Sequence, residues 1–476
     1  MPVDIAKPLC VDLDGTLLST DTLAESLLHA VRRDIRTILR LPIWLFRGKA
    51  HLKRQLAGQT QLNPEDLPYR QELLQYIRHQ RETGRRIVLV TAADESIARA
   101  VAAHLGLFDE VLASNGGVNV KGRQKRALLV ERFGERGFDY AGDASADIEV
   151  WESAREAVVV NGSRSLLRKL DRKKVRIGRQ FSGHRRGVGV YLQAVRIHQW
   201  VKNALVAVPL LLSHKVGDLL LVRRTILAVL AFSLCASAIY VANDLMDLSA
   251  DRRHHAKRLR PFAAGRLPLW DAVWMIPLLL GAGLAAAWSL PASFLIMLAA
   301  YCAASLLYSW RLKAMVLIDA LVLAGLYALR VLAGGEATGV VVSPWLWSFS
   351  IFFFLSLALV KRVTELRQLR LSRAAPAHGR GYLTMDIESL ATLGGASGYI
   401  AVLVTVLYVN STDVQLLYTR PQVLYLLAPM LLYWISRLWL LAHRGELQED
   451  PVLFALTDRA SRFTGVCLLA IILLAL

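Results

Sequence analysis

From Trp200 onward the chain is a succession of long, nearly uncharged apolar runs, near positions 201–220, 225–246, 270–288, 291–309, 314–333, 345–360, 389–409, 422–442 and 462–476. A helix rises about 1.5 Å per residue, so roughly 20 apolar residues cross about 30 Å of hydrocarbon. Several runs reach that length; the first, sixth and last are short or interrupted. Helices this closely spaced and without a polar face argue against a large soluble helical core. The sequence therefore predicts about nine transmembrane helices. Before Gln193 the pattern is different, with charged and apolar residues mixed, and an α/β soluble half is expected ahead of the all-α membrane half.

Charge orients the membrane half. With an internal N-terminus, the segments Asp247–Arg266, Arg311–Lys313, Lys361–Arg380 and Arg444–Asp450 fall on one side, and they hold Arg252, Arg253, Lys257, Arg258, Arg260, Arg266, Lys361, Arg362, Arg367, Arg370, Arg373, Arg380 and Arg444. The opposite segments, His214–Asp218, Gly334–Ser343 and Asn410–Thr419, carry almost no Lys or Arg. This asymmetry predicts an inner or plasma membrane protein with its soluble half on the cytoplasmic side. A formal charge of +19 fits anionic lipid and phosphorylated substrates better than nucleic acid, because much of the excess lies at predicted membrane edges. Four scattered Cys give neither a disulfide framework nor a metal pattern, and Met1-Pro2-Val3-Asp4 lacks the features of a signal peptide.

In the soluble half, Lys7–Val11 reads as a buried strand ending at Asp12-Leu13-Asp14-Gly15-Thr16, where open α/β sheets place ligands. Further strands are expected at Arg86–Val90, leading to Thr91, at Phe138–Ala141, leading to Gly142-Asp143-Ala144-Ser145-Ala146-Asp147, and at Ala157–Val160. Two carboxylates two positions apart can divide a reaction. Asp12 could attack phosphorus while Asp14 protonates the leaving oxygen and then activates water. Asp12 and Asp14 with Asp143 and Asp147 offer oxygen ligands for Mg²⁺, and Thr91 and Lys125 could hold phosphoryl oxygens.

These residues, in this order, resemble the haloacid dehalogenase-like superfamily of Mg²⁺-dependent phosphatases, over about residues 7–165. The resemblance implies phosphatase or phosphomutase action, since a dehalogenase lacks the second Asp. It also implies that the insertion around residues 20–80 forms a helical cap. Within it, Ile38-Leu39-Arg40-Leu41-Pro42-Ile43-Trp44-Leu45-Phe46-Arg47 could pack as part of that cap or rest on a membrane surface. The basic stretch 166–194, with Arg168, Lys169, Arg172, Lys173, Lys174, Arg176, Arg179, Arg185 and Arg186, is expected to be a hydrated linker.

The second strong signal is Tyr240-Val241-Ala242-Asn243-Asp244-Leu245-Met246-Asp247-Leu248-Ser249-Ala250-Asp251 at the inner end of an apolar run. If helix continues, Asp244, Asp247 and Asp251 share one face with Asn243 and Tyr240 adjacent. Mg²⁺ bridging these oxygens to a diphosphate would relieve their repulsion.

This pattern, with Arg196-Ile197-His198-Gln199-Trp200-Val201-Lys202-Asn203, resembles the UbiA-type membrane prenyltransferase superfamily over roughly 195–476, and within it the decaprenyl-phosphate phosphoribosyltransferase branch. Where prenyl-diphosphate users carry a second acidic motif, this chain has Lys361-Arg362-Val363-Thr364-Glu365, so that two cations could face a lipid or sugar phosphate. The resemblance implies transfer of 5-phosphoribose from 5-phosphoribosyl diphosphate to a polyprenyl phosphate. Asp244 and Asp247 would be catalytic, and Asn243, Asp244, Asp247 and Asp251 would hold Mg²⁺. Candidate substrate contacts are Arg196, Lys202, Tyr240, Lys257, Arg258, Arg260, Tyr308, Lys313, Asp319, Lys361, Arg362 and Glu365; a structural pair between Asp319 and Arg330 is not expected. Fusion suggests that the soluble half then removes the ribose 5-phosphate. The alternatives are polyprenyl transfer to an aromatic or quinone-precursor acceptor beside an independent phosphatase, and a lipid-tethered phosphate sensor or scaffold without activity.

Overall fold

In the computed structural model, which describes residues 7–60, 62–115, 120–183, 187–372, 381–447 and 450–476, the soluble half is built on six parallel strands in the order β3-β2-β1-β4-β5-β6. These are β1 (Leu9–Val11), β2 (Ile87–Asp94), β3 (Glu110–Ser114), β4 (Asp139–Gly142), β5 (Ala157–Val160) and β6 (Ile177–Phe181). The connection from β1 to β2 carries α1 (Thr22–Arg33), α2 (Thr37–Phe46), α3 (Lys49–Gln59) and α4 (Gln71–Glu82). Then follow α5 (Glu95–Leu105), α6 (Arg123–Phe133), α7 (Ile148–Ser153), α8 (Arg164–Arg172) and α9 (Val188–Ala194).

Side chains alternate across a strand, so both faces of this apolar sheet need cover. Leu9, Val11, Ile87 and Leu89 pack with Leu73, Leu74 and Ile77 of α4 and Val101 of α5. Cys10, Val88 and Val90 turn the other way, onto Leu129 of α6, Trp151 of α7 and Leu166 and Leu170 of α8. The strand order reverses between β1 and β4, which opens a crevice beyond their carboxyl ends.

Two expectations are corrected. Of residues 166–194, the segment through Phe181 is folded rather than a bare hydrated linker, because Leu166 and Leu170, four apart, bury one face of α8 while Arg168, Lys169 and Arg172 stay in water, and β6 adds a sixth strand to the sheet. Arg185, Arg186, Arg373 and Arg380 lie outside the described residues. The second correction is the number of spans. Among the described residues, seven stretches are long and apolar enough to cross a membrane: Leu219–Met246, Leu269–Ala287, Ala292–Trp310, Ile318–Thr338, Pro344–Arg370, Thr384–Val409 and Pro421–Arg444. The first expected span breaks into 3-10 turns over Ile197–Ala207 and a five-residue helix, Val208–Leu212, and the last, Arg459–Ala475, has 17 residues. The sixth run, by contrast, belongs to a 29-residue helix, Pro344–Ser372.

The described chain forms two compact units, Met1–Val195 with Tyr240–Ile276, and Arg196–Ile239 with Pro277–Leu476. In the second, glycines let backbones approach. A Cβ at Gly334 would meet the Val206 carbonyl oxygen at 2.0 Å, and one at Gly394 would meet the Trp439 ring at 2.2 Å.

The soluble core also contains a buried ion network. Asp139 on β4 accepts from the Arg85 guanidinium and from Arg155 Nε at 2.9 Å, while Arg85 Nε reaches the Lys7 carbonyl at 2.9 Å and its Nη1 reaches Gln80 at 2.8 Å. Burial would raise the Asp139 pKa, but Arg155 and Arg85 hold it below the ordinary carboxylate range. Asp139→Ala should lower thermal stability by about 3–5 kcal/mol at neutral pH, because it leaves Arg85 buried without its partner. Since the folded pKa is depressed, the wild-type advantage should be complete above about pH 4 and shrink as pH falls through the folded value.

Candidate active sites

The crevice at the β1 and β4 carboxyl ends gathers four of the residues expected there. Asp12 follows β1 with its N–H bonded to Ala141 O of β4 at 3.0 Å, and its Oδ1 accepts from Leu13 N at 2.8 Å. Ligand oxygens of Asp12, Asp143 and Asp147 lie within 4.8 Å of one another. Lys125 of α6 is buried, with Nζ 3.0 Å from Asp12 Oδ2 and 2.7 Å from the Tyr140 hydroxyl, which in turn donates to Asp147 Oδ1 at 2.9 Å. Thr91 lies at the same sheet edge on β2, and its Oγ1 accepts from Ala93 N at 3.0 Å. Gly15 has a positive φ of 74°, and a Cβ there would meet Asp143 Oδ2 at 2.4 Å; the turn therefore needs glycine for both backbone and space.

Electrostatically this crevice holds more negative charge than one lysine can offset. Burial pushes Asp12 up to about 6 although Lys125 opposes it, and burial with Asp147 and Asp12 beside it pushes Asp143 up to about 7. For Lys125, burial works against the charge, yet Asp12 and Asp147 raise its pKa. Three hard oxygen donors in mutual repulsion fit Mg²⁺. Asp147 supplies this set while Oδ2 also accepts from Ala144 N at 3.0 Å, which fixes its aim.

Asp14 is the exception, and its place as a metal ligand is corrected. Its carboxylate turns away to Thr22, accepting from N at 2.8 Å and Oγ1 at 3.2 Å. Burial, then the charge of Asp21, pushes its pKa to about 7, with the Thr22 bond opposing. A carboxyl in this state suits proton transfer rather than metal binding.

Thr22 begins α1, and one turn on lies Glu25, 1% exposed. Glu25 receives Arg252 Nη2 at 2.6 Å and Nη1 at 3.2 Å, with Thr20 Oγ1 at 2.7 Å; Arg252 Nε also donates to Ala263 O at 3.2 Å. Arg253 pairs with Asp66. The helix that positions Asp14 is thus bolted, within one unit, to the segment that follows Asp251. Sequence reading missed Glu25 and Tyr140, and also Thr16, Lys53 and Arg70. Thr16 Oγ1 reaches Asp143 at 3.2 Å, Lys53 Nζ of α3 reaches Ala92 O at 2.6 Å, and Arg70 Nε reaches Gly15 O at 3.2 Å. Thr16 lies inside the first motif and Tyr140 inside an expected strand, but Glu25, Lys53 and Arg70 belong to no motif, and only the fold brings that insertion to the crevice.

The acidic segment does not continue as one helix. Leu219–Met246 ends, Asp247 has φ −97° and ψ 10°, and a short helix covers Leu248–Arg253. Asp247 N to Asn243 O and Asp251 N to Asp247 O, at 2.9 and 2.8 Å, keep the turn spacing. Asp244 and Asp251, each 2% exposed, converge on Arg260 Nη1 at 3.2 and 2.5 Å. Arg260 is therefore a counter-charge in the acidic set rather than a free phosphate contact. Among the described residues, Asp244, Asp247 and Asp251 do not close into a three-ligand group as Asp12, Asp143 and Asp147 do. Two carboxylates around one cation, with Asn243 Oδ1 buried and lacking a hydrogen-bond partner, still match Mg²⁺, which takes one or two carboxylates and completes its shell from substrate phosphate. Tyr240 and Lys257 are half-buried, and Arg258 is exposed.

In the second unit, neighbours Lys361 and Arg362 go to different partners, because adjacent helical residues point about 100° apart. Arg362, 1% exposed, has Nε 2.7 Å from Asp319 Oδ2 and is bonded to Glu365, with the Tyr308 hydroxyl at 3.3 Å; Tyr382 donates to Asp319. This sealed cluster corrects the expectation that Arg362 faces a phosphate and gives Asp319 a structural partner. Arg330 instead bonds Asn203 Oδ1 and the Tyr301 hydroxyl, both at 2.9 Å. Lys361 and Lys202 meet on Asp450 Oδ2, at 3.3 and 2.7 Å, a junction that sequence reading did not form. Arg196, just before Ile197–Ala207, and Lys313, within the turn Leu312–Ala314, are half-buried.

Two families match the chain, the UbiA prenyltransferase family over residues 204–459 and the haloacid dehalogenase-like hydrolases over residues 9–152. An uncharacterized protein, y4nM, of Sinorhizobium fredii is 40% identical over 99% of this chain and 92% of its own length. Nodulation protein NoeC of Azorhizobium caulinodans is 38% identical over 60% of this chain and 91% of its own. Decaprenyl-phosphate phosphoribosyltransferase of Mycobacterium tuberculosis is 36% identical over 39% of this chain and 62% of its own.

Substituting Asp14→Asn should lower kcat on a soluble phosphate ester by about 10²–10⁴-fold. In the parent the rate should fall as pH rises through about 7, since protonation of the leaving oxygen requires neutral Asp14. Arg252→Ala should destabilise the protein by about 3–5 kcal/mol by stranding Glu25, measured by thermal unfolding, with Arg252→Lys intermediate.

Proposed function

We propose that this protein, which belongs to the UbiA prenyltransferase family and carries a haloacid dehalogenase-like hydrolase domain ahead of it, transfers 5-phosphoribose to a polyprenyl phosphate and then removes the ribose 5-phosphate. In the first step polyprenyl phosphate displaces diphosphate from 5-phosphoribosyl diphosphate. In the second, water releases inorganic phosphate, leaving polyprenyl-phosphoryl ribose. The hydrolase half, expected over residues 1–165, extends through β6 to Phe181, and the transferase half is assigned to 195–476.

The observation that carries the hydrolase step is Lys125 between Asp12 and Tyr140, beside Asp143 and Asp147. Asp12 attacks phosphorus; Lys125 and Thr91 hold the phosphoryl oxygens; Asp14 donates its proton to the departing 5-oxygen and later takes one from water. For transfer, support comes from the likeness to decaprenyl-phosphate phosphoribosyltransferase and from Lys361, a half-buried cation where prenyl-diphosphate users carry a second acidic motif. Asp244 and Asp247 act at the departing diphosphate, with Arg260 relieving the repulsion between Asp244 and Asp251. Mg²⁺, held by Asp12, Asp143 and Asp147 in one half and by Asn243, Asp244 and Asp251 in the other, would supply neutralisation of phosphate charge. Lys202, Lys257, Arg258 and Lys361 remain the candidate phosphate contacts, and the Lys/Arg asymmetry favours a cytoplasmic position for both acidic sets.

Purified protein given 5-phosphoribosyl diphosphate and a polyprenyl phosphate should release diphosphate and then inorganic phosphate. Asp12→Asn should accumulate the phosphorylated lipid sugar with transfer intact, and Asp244→Ala should slow transfer by about 10²-fold or more. Consumption of a prenyl diphosphate with an aromatic acceptor, and no use of 5-phosphoribosyl diphosphate, would overturn the assignment.

A further inference from the structure

The helices of the soluble core bury their apolar faces, as α4 does with Leu73, Leu74 and Ile77 and α5 with Ile97 and Val101. Helix α2 does the opposite. Phe46 is 95% exposed, Leu39 75% and Ile43 58%, with Ile35, Ile38 and Leu45 also exposed, and Thr37 is its one buried residue. A contiguous apolar surface of this kind marks an interaction site rather than ordinary surface scatter. Its rim is cationic: Arg32, Arg33, Arg36, Arg40 and Arg47 are all exposed, and Asp34, 3.8 Å from Arg40, is the one acid between residues 32 and 47. Large apolar groups ringed by arginine complement an anionic bilayer surface, into which such a helix sinks its apolar side while the guanidinium groups meet headgroup phosphates. The same chain carries seven stretches long enough to cross a membrane, so a bilayer accompanies this helix wherever the protein is.

The next helix faces the chemistry. After Gly48, whose φ of 104° permits the sharp turn, α3 packs on α2 and carries Lys53, the side chain that reaches Ala92 O next to Thr91. One helix of the cap thus leaves its large apolar side chains exposed and lipid-compatible, and its successor contributes a cation at the mouth of the Asp12 crevice.

We propose that α2 seats the cap in the headgroup region of an anionic membrane, so that the hydrolase half takes its phosphate monoester from the bilayer rather than from water. The docking stands on α2 itself; the identity of the lipid-borne monoester rests on the function proposed above. Lys53 then meets the charge next to the scissile phosphate, and hydrolysis follows substrate carried in lipid.

The test uses the full chain in nanodiscs containing phosphatidylglycerol. A fluorophore on Phe46→Cys, in a background with Cys302 and Cys467 replaced by Ala, should emit as in an apolar medium and be quenched by brominated acyl chains rather than by aqueous iodide. The double variant Leu39→Glu/Phe46→Glu alters only exposed side chains. It should raise KM about tenfold or more for a vesicle-borne polyprenyl-phosphoryl 5-phosphoribose while leaving kcat and KM for soluble ribose 5-phosphate unchanged. Quenching by iodide alone overturns the docking, as does protection from both quenchers with crosslinking between copies, which would assign the face to a protein. If quenching shows α2 in lipid but neither sugar phosphate is hydrolysed, the proposed reaction fails while the docking stands. Equal losses on the soluble and vesicle-borne substrates would overturn the link between docking and substrate capture.

Discussion

A carboxylate taken out of water must meet a cation or several hydrogen-bond donors, and this requirement joins parts of the chain that are far apart in sequence. Asp139 is met by Arg85 and Arg155, Glu25 by Arg252, Asp319 by Arg362, and Asp450 by Lys202 and Lys361. Each pair offsets a desolvation cost of several kcal/mol per ion and gains little beyond that, so its importance lies in what its loss strands. The Glu25–Arg252 pair is the most consequential of these, since Glu25 sits one turn after the threonine that orients Asp14.

Where pairing is incomplete, chemistry becomes possible. Asp12 and Asp147 share Lys125 with Asp143 beside them, and burial first, then the neighbouring carboxylates, raises the pKa values of Asp12 and Asp143. Asp244 and Asp251 share one arginine beside an unpartnered Asn243 oxygen. Both sets crowd buried oxygen acceptors around a protein cation, which suits a divalent ion and a phosphorylated ligand arriving together. Asp319 and Arg362 show the contrary case. Arg362 also serves two carboxylates, Asp319 and Glu365, but Asp319 and Arg362 are sealed from water, so they hold helices together instead of meeting substrate.

Several features could be read from the residues alone because each depends on neighbours in sequence. Uncharged runs of about 20 residues imply spans regardless of how they pack. A strand followed at once by Asp12-x-Asp14 places carboxylates at a sheet edge, and β5 follows from Ala157–Val160 and the turn after it. Span number was less secure, since Ile197–Leu212 is apolar enough but breaks into 3-10 turns, and hydropathy does not report helix continuity. Strand β6, with four of its five residues exposed and Gly178, Arg179 and Gln180 at its centre, has no apolar alternation to betray it; it exists because the edge of β5 offers hydrogen-bond partners.

Composition and local pattern thus determined that this chain has an α/β half and a membrane half, and which acidic residues are available for phosphate chemistry. Which of them converge was decided by tertiary structure alone. Asp14 turns to Thr22 instead of joining Asp12, Arg260 closes on Asp244 and Asp251, and the adjacent Lys361 and Arg362 serve separate clusters. Sequence spacing fixes the direction of a side chain only within one regular element, whereas the partner of a buried charge is whichever opposite charge the packing of other elements brings within about 3 Å.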